Sequence, residues 1–303
     1  MGEQEVKLEE VIGMNESWEH EFVNIDGLRM HYVTQGTGKL VLLLHGFPDF
    51  WYVWRYQIPE LAKHFRVVAP DLRGYNKTDK PSGVENYRLN LIAGDILGLI
   101  KALGETRAII IGHDWGGVVA WSFAAFNPEH TEKLVILNAP HPNAYTSRAK
   151  RSLRQLQKSW YIFFFQIPDV PEKVLSRNDY FFLKSMVKLS FVKKEALTDE
   201  DLRLCAEAWS QPGALTAMMN YYRANMNPSI LFSERTIAFP KITAPTLIVW
   251  GEQDVALSRS LIENTEEFVD ASYSMKYVPN CGHWVQLEQP KLVNKYIDDF
   301  LRS

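Results

Sequence analysis

Four short apolar runs, at residues 40–44, 65–69, 108–111 and 134–137, alternate with stretches of helical periodicity at 51–63, 89–103 and 118–126. None of the four runs alternates polar with apolar residues. A strand of that kind must be covered on both faces, which calls for a parallel sheet with helices on either side. Residues 22–24 and 30–34, joined by Asp26-Gly27, read instead as an antiparallel hairpin at the sheet edge.

The alternation stops after Pro140. Residues 141–239 contain no strong strand and are helical, aromatic and methionine-containing. Pro240 and Pro245 bracket a short linker; strand-like runs then return at 246–250 and 275–278, and a last helix spans 291–301. The expected division is an N-terminal extension (1–21), a first part of an α/β core (22–140), an inserted helical cap (141–243) and a second part of the core (244–303). An insertion after a central strand sits over the C-terminal ends of the strands, where open α/β sheets hold their ligands.

The bulk properties narrow the function by exclusion. Hydrophobic residues make up 46% and charged residues 23%, enough to build a large core in 303 residues. A net charge of -3 without a basic stripe argues against a nucleic-acid partner. The densest basic stretch, 147–158, reads as a solvated helix face. The acidic segment 1–21 has no long apolar run, so it is no signal peptide, and no run is long enough to span a bilayer. Two cysteines, Cys205 and Cys281, make no disulfide framework and fit a reducing, cytoplasmic setting. Nothing marks the chain as more than a monomer or a homodimer.

Four motifs stand at strand ends. Gly112-His113-Asp114-Trp115-Gly116 lies between a strand and a helix, the G-x-nucleophile-x-G turn in which small residues let backbone segments pass closely. His45-Gly46-Phe47-Pro48 follows the strand at 40–44. The Phe47 N–H and the Trp115 N–H would together form an oxyanion hole. Asp254 follows the strand at 246–250, and His283 follows that at 275–278. Nucleophile, acid and histidine thus occur in the chain order of α/β-hydrolases. Gly36-Thr37-Gly38-Lys39 precedes a strand and lacks a third glycine, which excludes a dinucleotide site. His20, His31, His64 and His130 read as surface or strand residues, and His113 and His141 as structural supports. No spacing suggests a metal, and no cofactor is implied.

An aspartate at the elbow changes the chemistry. A carboxylate attacking an ester or amide would give an anhydride, an uphill product. It readily displaces a leaving group from saturated carbon instead, giving an alkyl-enzyme ester. His283, oriented by Asp254, would then activate water against that ester.

From about Phe22 to the C-terminus the chain resembles the epoxide hydrolase branch of the α/β-hydrolase fold, through His45-Gly46-Phe47-Pro48, Gly112-His113-Asp114-Trp115-Gly116, Asp254 and His283-Trp284. The resemblance implies two cap tyrosines that protonate the opening epoxide oxygen. Tyr161 and Tyr222 stand in similar contexts, with Tyr221 a rival for the second place. It further implies a small-molecule epoxide and water as reactants, and a vicinal diol as product. Haloalkane dehalogenases typically carry Asn where Phe47 stands, and fluoroacetate dehalogenases carry Arg at the position of Trp115. A haloalkane dehalogenase, or a non-catalytic ligand receptor of this fold, is the alternative. The aromatic cap segment makes the pocket apolar, with Trp115, Phe47, Phe165 and Met219 expected to line it and Phe163, Phe164 and Met218 nearby.

Overall fold

A computed structural model describes residues 18–149, 152–231 and 239–303. Most of the expected N-terminal extension (1–17) and two residues of the basic stretch (150–151) lie outside the described residues. Eight strands form one sheet in the order β1-β2-β4-β3-β5-β6-β7-β8. β1 (Glu19–Ile25) and β2 (Leu28–Gln35) are antiparallel around Asp26 and Gly27, both at positive φ, as a two-residue hairpin turn requires. β1 begins at Glu19, ahead of the strand start expected at Phe22. β2 meets β4 (Arg66–Pro70) antiparallel; every later neighbour pair is parallel.

The central strands β3 (Leu40–Leu44), β5 (Ala108–His113) and β7 (Thr246–Gly251) are buried at every position. β6 (Thr131–Leu137) is buried over its last four, whereas β1 and β8 (Tyr273–Val278) are largely open at the two edges. That difference is the reason the inner strands read as unbroken apolar runs. Flanking helices α1 (Leu89–Ala102) and α2 (Trp115–Phe126) pack on one another, and the C-terminal α9 (Pro290–Arg302) packs on β7 and β8.

Residues 51–63 do not form the single helix expected there. A 3-10 turn at Trp51–Trp54 is followed by a one-turn helix at Ile58–Leu61. Pro59 has no N–H to continue a helical ladder and is at home only in a first turn, so the segment restarts there.

Between β6 and β7 the described chain holds helices and no strand, only an isolated bridge from Ile242 to Val269. Those that matter for the site are α3 (Pro142–Ala149), α4 (Leu153–Lys158), α5 (Trp160–Phe165), α6 (Arg177–Ser190), α7 (Asp199–Trp209) and α8 (Ala214–Asn225). Buried polar bonds tie this insert to the strand-end loops. The Trp209 indole N–H donates to the Pro48 carbonyl, and Glu288 accepts the N–H groups of Val192, Lys193 and Gly282. No helix among the described residues is long and apolar enough to cross a membrane.

Candidate active site

β5 ends at His113 and α2 begins at Trp115, so the turn between them is Asp114 alone, at φ 51° and ψ -121°. A non-glycine residue in that region is strained, and such strain persists only where the surroundings over-determine it. Here the surroundings are tight. A Cβ on Gly116 would lie 2.0 Å from the Leu44 carbonyl oxygen, and one on Gly112 2.3 Å from that of Gly116. Gly46 serves the facing loop: a Cβ there would fall 2.3 Å from Asp114 Oδ1 and 2.7 Å from the Trp115 nitrogen.

The Phe47 N–H donates to Asp114 Oδ1 at 2.7 Å. Trp115 heads its helix, so its N–H has no intrahelical acceptor. Asp114 Oδ2 lies 3.4 Å from His283 Nε2. On the other side of the ring, His283 Nδ1 donates to Asp254 Oδ2 at 2.7 Å. Asp254 Oδ1 accepts the N–H groups of Ala256 and Leu257 at 2.7 and 2.8 Å. The three side chains named from separate strand ends therefore form one continuous chain of polar contacts.

Charges decide their states. Burial alone would push the Asp114 carboxyl up, but the hydrogen bond and charge of His283 outweigh it and hold it below its ordinary value. The same opposition holds Asp254 low. Burial would lower His283, yet the two flanking carboxylates raise it to about 10. The resting site is an imidazolium between two carboxylates. His113, fully buried and pushed down to about 3 mainly by burial, stays neutral and donates from Nε2 to the His283 carbonyl at 2.9 Å.

Tyr161 on α5 and Tyr222 on α8 face Asp114 across a cavity of about 460 Å³ that all three line. Their rings meet edge to face, 5.8 Å apart, and Tyr222 also packs edge-on against Trp115 at 5.1 Å. Burial, reinforced by the Asp114 charge and neighbouring phenols, holds both hydroxyls protonated well above the ordinary tyrosine range. Tyr221 turns away: its hydroxyl donates to the Arg73 carbonyl at 2.8 Å, and its ring packs on Tyr75 and Tyr87. A helix advances 100° per residue, which separates the two neighbours.

The wall of the cavity departs from expectation. Trp115 lines it, but the Phe47 side chain, Phe165 and Met219 do not; nor do Phe163, Phe164 and Met218. Phe165 and Met219 are fully buried packing residues, and the Phe47 ring packs on Phe165 and Tyr222 while its N–H faces the site. The longer wall is a stripe of α2, Trp115, Val118, Ser122 and Phe126, spaced 3 or 4 residues apart along one helix face. That spacing was readable once Trp115 was placed beside the nucleophile.

Two further residues support Asp254. Asn138 donates from Nδ2 to Asp254 Oδ2 at 2.7 Å and accepts the Gly251 N–H at 3.0 Å. Lys158, expected on a solvated face, reaches in to donate to the Asp254 carbonyl at 2.6 Å. Among the described residues no group of His, Cys, Asp and Glu side chains converges as metal ligands would.

A family model described as alpha/beta hydrolase fold matches residues 39–290. The AB hydrolase superfamily protein YfhM of Bacillus subtilis (strain 168) is 42% identical over 287 residues, covering 93% of this chain and 98% of that protein. Epoxide hydrolase 4 of Homo sapiens is 43% identical over 292 residues, covering 94% of this chain and 79% of that one. Among solved structures, an epoxide hydrolase of Bacillus megaterium in complex with an inhibitor superposes with a TM-score of 0.87 at 33% identity. That match covers 93% of this chain and all of the other.

Proposed function

The chain belongs to the epoxide hydrolases of the alpha/beta hydrolase fold, and from that premise we propose that it opens lipophilic or aromatic epoxides to vicinal diols through an alkyl-enzyme ester on Asp114. One observation carries the reading: a carboxylate anchored by a backbone N–H shares a largely apolar cavity with two protonated tyrosines. A carboxylate supplies the nucleophile for saturated carbon, and the phenols supply the proton that an epoxide oxygen needs as its ring opens. In this reading residues 141–243 form the cap, residues 22–140 and 244–303 the core, and the setting is cytoplasmic.

The geometry divides the labour between the two carboxylate oxygens. Oδ1 is held by Phe47, so Oδ2 is the atom free to attack the epoxide carbon. The C–O bond of the ring breaks, and its electron pair leaves as an alkoxide that takes a proton from Tyr161 or Tyr222. Asp114 is then a neutral ester, so one of the two anions that kept His283 charged is gone. The proton passes from His283 to the tyrosinate, which restores the phenol and leaves a neutral imidazole. His283 Nε2 next removes a proton from water as the water oxygen bonds to Asp114 Cγ. The tetrahedral oxyanion forms on Oδ1, where the Phe47 and Trp115 N–H groups stabilise it. Collapse breaks the Cγ–Oδ2 bond; Oδ2 takes the proton from His283 and leaves as the second hydroxyl of the diol, the water oxygen stays on Asp114, and the acid proton left there passes to His283, restoring the carboxylate and the imidazolium.

Product analysis with styrene oxide and 1-bromobutane tests the reading. Diol from the epoxide is the expected result; bromide release with no diol would replace it with a dehalogenase. The tyrosines have their own test. Tyr161→Phe combined with Tyr222→Phe should lower kcat for epoxide opening by about 10²- to 10⁴-fold, the usual scale for losing a general acid. A nearly normal rate would place the acid elsewhere.

A further inference from the structure

A third tyrosine, Tyr145 on α3, lines the same cavity and has no part in the steps above. Its hydroxyl lies 2.9 Å from Ser159 Oγ, and either oxygen could donate across that bond. The neighbouring groups decide which one does. Gln155, fully buried, accepts the Ser258 N–H on Oε1 at 2.8 Å. Its Nε2 donates to the Ala256 carbonyl at 2.9 Å. Turning the amide over would set oxygen against a carbonyl and N–H against N–H, so its orientation is fixed. The second N–H of Nε2 therefore donates to Ser159 Oγ at 3.0 Å.

Ser159 is buried and carries a single hydroxyl hydrogen. Gln155 presents it with a donor, so among the described residues the only acceptor within reach is the Tyr145 oxygen. If Tyr145 donated to Ser159 instead, the serine hydrogen would be left buried and unpaired, the costly arrangement. The order of donation is thus Gln155 to Ser159 to Tyr145. The Tyr145 hydrogen is left with no protein acceptor among the described residues, on a side chain that lines the cavity. Burial pushes this phenol up despite the bond from Ser159, which keeps the hydrogen in place at neutral pH.

We propose that Tyr145 is a third hydroxyl donor of the cavity, which binds an oxygen acceptor carried by the substrate beside the epoxide ring and so favours oxygen-bearing epoxides over hydrocarbon ones. The assignment rests on the epoxide hydrolase reading. Aryl glycidyl ethers have such an oxygen one carbon from the ring, and styrene oxide has none.

The test compares phenyl glycidyl ether with styrene oxide on the intact protein and on Tyr145→Phe, which keeps the ring and removes only the hydroxyl. The ratio of kcat/KM, ether over styrene oxide, should fall roughly 3- to 10-fold, the scale of one neutral hydrogen bond. The loss should appear in KM for the ether, with styrene oxide changed less than about twofold. Ser159→Ala, which removes the donor that orients Tyr145, should lower the same ratio by a smaller factor. A general structural defect would lower both substrates together and leave the ratio where it was; an unchanged ratio in Tyr145→Phe overturns the assignment. If the intact protein turns over neither epoxide, the underlying reading fails instead.

Discussion

Asp114→Ala should stop diol formation while the protein stays folded. The expected fall in kcat is about 10⁴-fold or more, because the substitution deletes the atom that bonds to substrate and not a group that assists it. What remains, the Phe47 and Trp115 N–H groups and the two phenols, can bind an epoxide but offers it no nucleophile. The fold should survive for a local reason. The side chain is partly exposed to the cavity and its one backbone bond comes from Phe47. Alanine at φ 51° is strained by about 1–3 kcal/mol, so melting should drop by only a few degrees. Asp114→Asn separates the two effects, since asparagine tolerates positive φ and cannot attack. Circular dichroism and diol assay on both variants check the expectation; more than a hundredth of the normal rate in either, on freshly prepared protein, would remove Asp114 from its role.

The catalytic order was legible because it depends on strand ends. β3 runs over the five residues its apolar run suggested; Phe47, Asp114 and Asp254 each follow a strand that reads as a continuous apolar stretch, and His283 follows the shorter strand-like run at 275–278. What could not be read depends on rotation about a helix or on packing between distant segments. Tyr221 and Tyr222 are adjacent and chemically identical; only the seat of α8 against Tyr75, Tyr87 and Trp115 turns one inward. Phe165 and Met219 are apolar and lie in the insert, as cavity residues would, yet both are fully buried, Phe165 against the Tyr222 ring. Asn138 left no mark in the sequence because its partners, Asp254 and Gly251, lie more than a hundred residues away. Its amide can serve a carboxylate and an N–H at once, which an aspartate at that position could not do.

His283→Gln should convert the protein from a catalyst into a trap for its own intermediate. Attack by Asp114 Oδ2 needs no base, and the Phe47 N–H still favours the carboxylate, so ester formation continues wherever the pH keeps the carboxyl ionised. Glutamine keeps an N–H for Asp254 but cannot take a proton from water, so ester hydrolysis should slow by about 10²- to 10⁴-fold. Incubation with styrene oxide should then raise the intact mass by that of the whole epoxide, because ring opening expels nothing; an alkyl halide would leave an adduct lacking its halogen. Digestion should place the added mass on the peptide that contains Asp114. A single turnover of the unaltered enzyme in 18O-water supplies the complementary result, with label in that peptide and none in the first diol released. The pH dependence should change with the residue. In the ester form His283 faces Asp254 but no longer an ionised Asp114, so its pKa falls below the resting value of about 10. Hydrolysis by the normal enzyme should therefore rise with pH as the imidazole loses its proton and then level off. In His283→Gln that ascending limb should vanish, since the base that removes the water proton is gone. A variant that still binds styrene oxide yet gains no mass at any pH would overturn the two-step route.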